Sequence, residues 1–171
     1  ARGLWDSWED DAVIRDFPTG RFLDQQKLHY VDFVGEKYSV KGPAIVPRPP
    51  QGQVVVFGRF GEIDTDLLDV VLVETEVDAR AVTGAHVVLD VEAPGSPTAA
   101  AGLVERIAAL DDAIGGIRLR PASVDDDLRV AARYLLPQLF ERGLAHRPVP
   151  ATTLRSTLGL ARPVNRFEAA R

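Results

Sequence analysis

The sequence predicts an α/β fold built on a mostly parallel sheet. Three compact apolar runs, Val54–Phe57, Val70–Val73 and Val87–Val91, are rich in valine and continuous, not alternating. Such runs suit parallel strands covered on both faces. A helical pattern then leads through Gly115-Gly116 into a fourth candidate strand, Ile117–Leu119. Strand, helix, glycine pair, strand is the grammar of a βαβ unit, whose crossover is right-handed in nearly all proteins.

The elements follow in order. Leu4, Trp5, Trp8 and Ala12 recur at three- and four-residue spacing and predict a helix from Ala1 to about Asp16. Phe17-Pro18-Thr19-Gly20 breaks it. From Lys27 to Lys41 the period changes to two, with Gly35-Glu36 as the turn of a β-hairpin. Four prolines between Gly42 and Gly52 exclude regular structure there, because each removes a backbone donor. After the third run, Ser96 is placed to cap a helix over Pro97–Ile114, with Leu103, Ile107, Leu110 and Ile114 on one face and Gly115-Gly116 past its end. Ser123 opens a second helix, Asp125, Asp126 and Asp127 complement its dipole, and Leu128, Ala131, Leu135, Leu139 and Phe140 form its apolar stripe up to Gly143. The remainder reads as an extended C-terminal arm with one helical turn near Thr153–Leu160.

Composition narrows the function. The chain has 171 residues, 46% hydrophobic and 26% charged, with net charge -5. This length predicts one domain over residues 1–171: a helix end, hairpin and proline-rich loop (1–52), a βα core (53–143) and the arm (144–171). The absence of cysteine excludes a disulfide scaffold. His29, His86 and His146 are scattered, so no metal site is expected. The acidic balance argues against a nucleic-acid partner, and no apolar run approaches the roughly 20 residues of a membrane span. A soluble, cytoplasmic protein is expected. The chain lacks methionine and starts at Ala1, which predicts a processed, tagged or partial polypeptide.

Two blocks carry a family resemblance. Leu4-Trp5-Asp6-Ser7-Trp8-Glu9-Asp10-Asp11-Ala12, Gly35-Glu36, Gly42-Pro43 and Pro47-Arg48-Pro49-Pro50-Gln51-Gly52 form the first; Thr152-Thr153-Leu154-Arg155, Leu158-Gly159-Leu160 and Arg162-Pro163-Val164-Asn165-Arg166-Phe167 form the second. In this order they resemble the bacterial-luciferase-like flavin-dependent monooxygenases, in the nitrilotriacetate and dibenzothiophene-sulfone branch. The resemblance implies a TIM-type barrel that binds reduced FMN and oxidises a small organic substrate. Such barrels typically need about 250 residues. The chain therefore resembles the C-terminal half of one, shortened: a partial barrel with a hairpin insertion and an arm. It also implies a separate flavin reductase and a homo- or hetero-oligomeric partner completing the barrel.

Barrel sites form at the C-terminal ends of strands, which here offer Gly58, Arg59 and Phe60, then Glu74 and Thr75, then Glu92, then Arg120. In the family, the turn after the first of these strands cradles the FMN phosphate, so Gly58, Arg59 and Gly61 are the candidate cofactor residues. The other reading of this turn is a strand-to-strand connection with a solvated acidic edge, since Glu62, Asp64 and Asp66 follow directly and repel a dianion by roughly 1 kcal/mol per close pair. The catalytic residues are not legible. His29 reads as a cross-strand residue, Ser123 with His146 lacks a nucleophile-elbow setting, and Trp5, Trp8 and Tyr38 read as packing. Two roles stay open: a flavin-monooxygenase component, or a non-catalytic relic serving as an interaction protein.

Overall fold

The first helix ends at Asp6 because that carboxylate is engaged elsewhere. In the computed structural model, which describes residues 1–147, 149 and 152–168, α1 spans Arg2–Asp6. Asp6 is buried and accepts from Arg48 Nε at 3.1 Å and Gln53 Nε2 at 2.8 Å. Ser7 donates to the Leu4 carbonyl and accepts from the Ala44 N–H. Trp8 joins Leu28 in an isolated antiparallel bridge. The helix expected over Ala1–Asp16 is therefore corrected: tertiary hydrogen bonds override a weak local preference. The β-branched Val13 and Ile14 instead enter β1 (Val13–Asp16), paired antiparallel with β2 (Arg21–Leu23).

The expected hairpin survives around its turn. β3 (Phe33–Val34) pairs antiparallel with β4 (Ser39–Val40). Its first strand is shorter than expected, because Asp32 turns to φ +43° and Leu28 pairs with Trp8.

The chain divides into two compact units, Ala1–Val54 with Thr152–Arg171, and Val55–Ala151. The second holds β5 (Phe57–Arg59), β6 (Val70–Val73), α2 (Glu76–Ala81), β7 (His86–Glu92), α3 (Pro97–Ala108) and β8 (Gly116–Arg120). Its four strands form one parallel sheet in the order β5-β6-β7-β8. All four expected strands are present, although β5 lies three residues later than the first Val-rich run; the Val56 N–H is held by the Asp69 carboxylate at 2.9 Å. Helix α2 has no counterpart in the sequence reading, since six residues with one buried side chain, Ala79, show no period.

Ser96 caps α3 as expected, accepting from the Ala99 N–H at 3.2 Å. The helix stops at Ala108, however, and the glycine pair serves another purpose. Gly116 opens β8, and Gly115 gives its N–H to Val87 O at 3.0 Å, where any Cβ would lie 2.4 Å from the His86 ring. The following helix is α4 (Val124–Val130), a π-helical turn over Ala131–Leu135, and α5 (Leu136–Glu141). Pro137 has no N–H to return to the preceding turn, which widens accordingly. The Asp127 carboxylate, not the Ser123 hydroxyl, caps α4, accepting from Ala122 N and Ser123 N at 2.8 and 2.9 Å. Gly143 follows at φ +68°.

The core of the second unit joins Val71, Val73, Leu89 and Val91 to Leu103 and Val104 of α3 and to Ala131, Leu135 and Leu139. The arm contributes α6 (Leu154–Thr157) to the first unit. There Arg155 is buried and donates to Gln53 O, while Asn165 donates to Asp6 O and Trp8 O at 3.0 and 2.8 Å.

Candidate functional site

Strand register assigns the sheet face opposite that core. Side chains alternate along a strand, so with Val71, Val73 and Leu89 facing the helices, Val70, Leu72, Val88 and Asp90 face the other way. The parallel pairing sets Arg59 beside Leu72, Asp90 beside Arg118 and Glu92 beside Arg120. Apart from His86 at the start of β7, this face is apolar at the N-terminal end of the strands and charged at the C-terminal end.

Asp90 anchors the charged end. Its side chain is only 4% exposed, and it accepts from Arg118 Nε at 2.7 Å and from Arg118 Nη2. Two parallel bonds between a fork and a carboxylate fix the guanidinium plane, and the Asp90 contact raises the Arg118 pKa further. Arg120 Nη1 stands 3.9 Å from Glu74 and 4.0 Å from Asp90, ion-pair distance without hydrogen bonding. Arg59 Nη1 donates to Glu74 Oε1 at 3.2 Å. A cavity of about 260 Å³ opens here, lined by Arg59, Phe60, Glu62, Leu72, Glu74, Asp78 and Asp90. Asp78 also completes the cap of α2, its N–H and carboxylate both bonded to the Thr75 hydroxyl. Sequence reasoning missed Asp90 and Arg118. The available signal was a lone carboxylate inside the Val87–Val91 run, a position that tolerates charge only with a partner.

The three candidate cofactor residues are adjacent but differently employed. Gly58 is buried in β5, and a Cβ there would lie 2.7 Å from both methyl groups of Leu68. Arg59 is committed to Glu74. Gly61 takes φ +80° in the turn, with open space where a Cβ would be. The Phe60 N–H donates to Leu72 O at 3.0 Å and the Glu62 N–H to Arg59 O at 3.2 Å. The connection beyond is a single 3₁₀ turn, Thr65–Leu67, capped by Asp64. A phosphate cradle needs free N–H groups at a helix start. Here two N–H groups face carbonyls, the helix is one turn long, and carboxylates line the cavity. These residues do not fit a phosphate dianion.

The other singled-out residues are scattered. In the first unit His29 Nε2 lies 2.8 Å from Glu9 Oε1, and the ring stacks on Phe167 at 4.4 Å. Trp8 is buried and donates to Ala44 O at 2.8 Å. Carboxylate oxygens of Glu9, Asp11 and Glu168 come within 4.8 Å of one another, but Lys27 pairs with Asp11. In the second unit His86 has a buried Nε2 with no hydrogen-bond partner, while His146 is exposed. Among the described residues, no helix is long and apolar enough to cross a membrane.

Comparison with known proteins supplies the relatives of this arrangement. No protein-family model matches the chain. It is 33% identical to one of the subunits of pristinamycin IIA synthase from Streptomyces pristinaespiralis over 169 residues, covering 96% of this chain and 54% of that protein. Over 55 residues it is 54% identical to N-acetyl-S-(2-succino)cysteine monooxygenase of Bacillus subtilis (32% of this chain, 12% of the enzyme). Over 53 residues it is 51% identical to dibenzothiophene-sulfone monooxygenase of Rhodococcus erythropolis (31% and 12%). Its homologues are luciferase-like monooxygenases. Structure agrees on the luciferase-like fold: a riboflavin lyase crystallised with modified FMN and riboflavin superposes at TM-score 0.77 and 18% identity, covering 98% of this chain and 61% of that one. The chain thus spans about half the length of the pristinamycin relative, and its four parallel strands make an open sheet where the luciferase-like monooxygenases have a TIM-type barrel.

Proposed function

We propose that this chain forms one wall of a luciferase-like monooxygenase, with a second polypeptide closing the barrel across the open sheet. The observation that carries the reading is the charged cluster of Asp90, Arg118, Arg120, Glu74 and Arg59 at the C-terminal edge of a four-stranded parallel sheet, the edge where barrel enzymes build their sites. A relative that matches along nearly all of this chain is itself one subunit of a synthase, which supports an assembly of more than one chain. In this assembly reduced FMN, delivered by a separate reductase in the cytoplasm, supplies the oxygen chemistry. This chain's part is to hold the Arg118 guanidinium rigid on Asp90, wall off water with Leu72 and Val88, and orient a small organic substrate against that edge. Anaerobic titration with reduced FMN, then mixing with oxygen, tests the proposal. Slowed flavin reoxidation with the chain plus its barrel-completing partner supports it, and free-flavin rates in that complex overturn it.

A second reading is a non-catalytic relic that has lost flavin binding and serves as an interaction protein. It is favoured by one observation, the engaged N–H groups of Phe60 and Glu62 in the turn where the phosphate is expected.

A further inference from the structure

The turn after β5 carries the glycines expected of a phosphate loop, while its arginine and the N–H groups of Phe60 and Glu62 are engaged within the chain. Gly58, with no side chain, makes room for Leu68, not for a ligand. Arg59, the cation of the turn, donates to Glu74, whose carboxylate also has Arg120 at 3.9 Å. The N–H groups of Phe60 and Glu62 donate to Leu72 O and Arg59 O. The cavity in front of them presents Glu62, Glu74, Asp78 and Asp90 against Arg59 alone. Arg118 is held by Asp90 and Arg59 by Glu74, so the uncompensated charge lining the cavity is that of Glu62 and Asp78. A doubly charged phosphate placed here meets carboxylates on several sides, and the one cation that lines the cavity, Arg59, must first leave its partner.

We infer that the C-terminal edge of this sheet rejects anions: Glu74 disarms Arg59, and the cavity admits neutral or cationic groups while excluding the flavin phosphate. The flavin of the proposed assembly is therefore not held by its phosphate at Gly58, Arg59 and Gly61. This inference rests on the barrel-wall reading only for the choice of flavin as the probe. The charge preference of the cavity is a property of the chain by itself.

The test compares FMN with riboflavin, which differ by the phosphate alone, using the full chain and fluorescence quenching. We expect riboflavin to bind, and FMN to bind no more than about twofold tighter. Glu74→Gln frees Arg59 and should shift the ratio toward FMN by about fivefold, the size of a surface ion pair. Lowering salt should weaken FMN relative to riboflavin, since repulsion is then less screened. A tenfold or greater preference for FMN that disappears in Arg59→Ala overturns the inference. So does FMN binding that strengthens at low salt. Circular dichroism of each variant confirms folding, and the salt comparison on the unmodified chain stands if a variant fails to fold. Failure of riboflavin to bind overturns the claim that the cavity admits neutral groups, and the reoxidation test of the assembly decides the functional proposal separately.

Discussion

Asp90 on β7 and Arg118 on β8 form a bidentate pair across the parallel ladder, with one partner buried and the other reaching solvent. The carboxylate is 4% exposed and the guanidinium side chain 41%. This asymmetry makes the two truncations unequal. Arg118→Met strands a buried charge and should cost about 1–3 kcal/mol, below the full penalty of a buried pair because the arginine is half in water. Asp90→Asn removes that charge and keeps an acceptor, and should cost about 1 kcal/mol or less. Urea unfolding midpoints compare the two. Equal losses would show that the pair does not anchor the edge.

Glycine 58 separates a structural from a ligand-binding role. Gly58→Ala places a methyl group against Leu68, a buried side chain, and should destabilise by about 1–3 kcal/mol with or without flavin present. Leu68→Val should recover part of that loss in the double variant, since neighbours in contact do not add. Additive losses in the thermodynamic cycle would rule out the contact as the cause.

His86 gives the fold an acid-sensitive point. Burial pushes the ring below the ordinary histidine value of 6.5, and its Nε2 has no acceptor to receive a proton's charge. The unfolded chain binds the proton first as pH falls through 6.5, so stability is full above that value and is lost progressively below it. His86→Leu should flatten this slope. Asp111 acts in a separate window: the Ala113 N–H, and then Arg80, hold it below 3.8, so its contribution is lost only in stronger acid. Guanidine unfolding at a series of pH values reads both, and an unchanged slope in His86→Leu would acquit the histidine.

In the first unit, burial decides which arginine matters. Arg48 is buried, with its guanidinium divided among Asp6, Asp10 and Pro163 O. Arg48→Met leaves the buried Asp6 short of a cation and should cost about 3 kcal/mol or more. Arg162 also reaches Asp10, at 2.7 Å, but is 48% exposed, and Arg162→Ala should cost under about 1 kcal/mol. Thermal melts of the two variants are expected to differ in this order.

What the sequence determined by itself were the elements whose signals are local. The Val-rich runs over Val70–Val73 and Val87–Val91 are short and β-branched, as buried parallel strands are, and Ser96 before Pro97 can cap only the residues that follow it, so most of the parallel sheet and the start of α3 were legible. So was the resemblance to the luciferase-like monooxygenases, because its motif blocks are runs of residue types readable without coordinates. Tertiary structure decided what depends on partners distant in the chain. The Leu4–Ala12 spacing permits a helix, yet Asp6, Ser7 and Trp8 find Arg48, Gln53, Ala44 and Leu28, and those bonds outweigh a helical preference of a few tenths of a kcal/mol per residue. Gly115 resembled a helix cap until the His86 ring occupied its empty side. At the sheet edge, the sequence supplied Gly58, Arg59 and Gly61 as a possible anion loop. Only the fold turned Arg59 onto Glu74 and filled the glycine's space with Leu68, because charge and volume are balanced between strands and not along them.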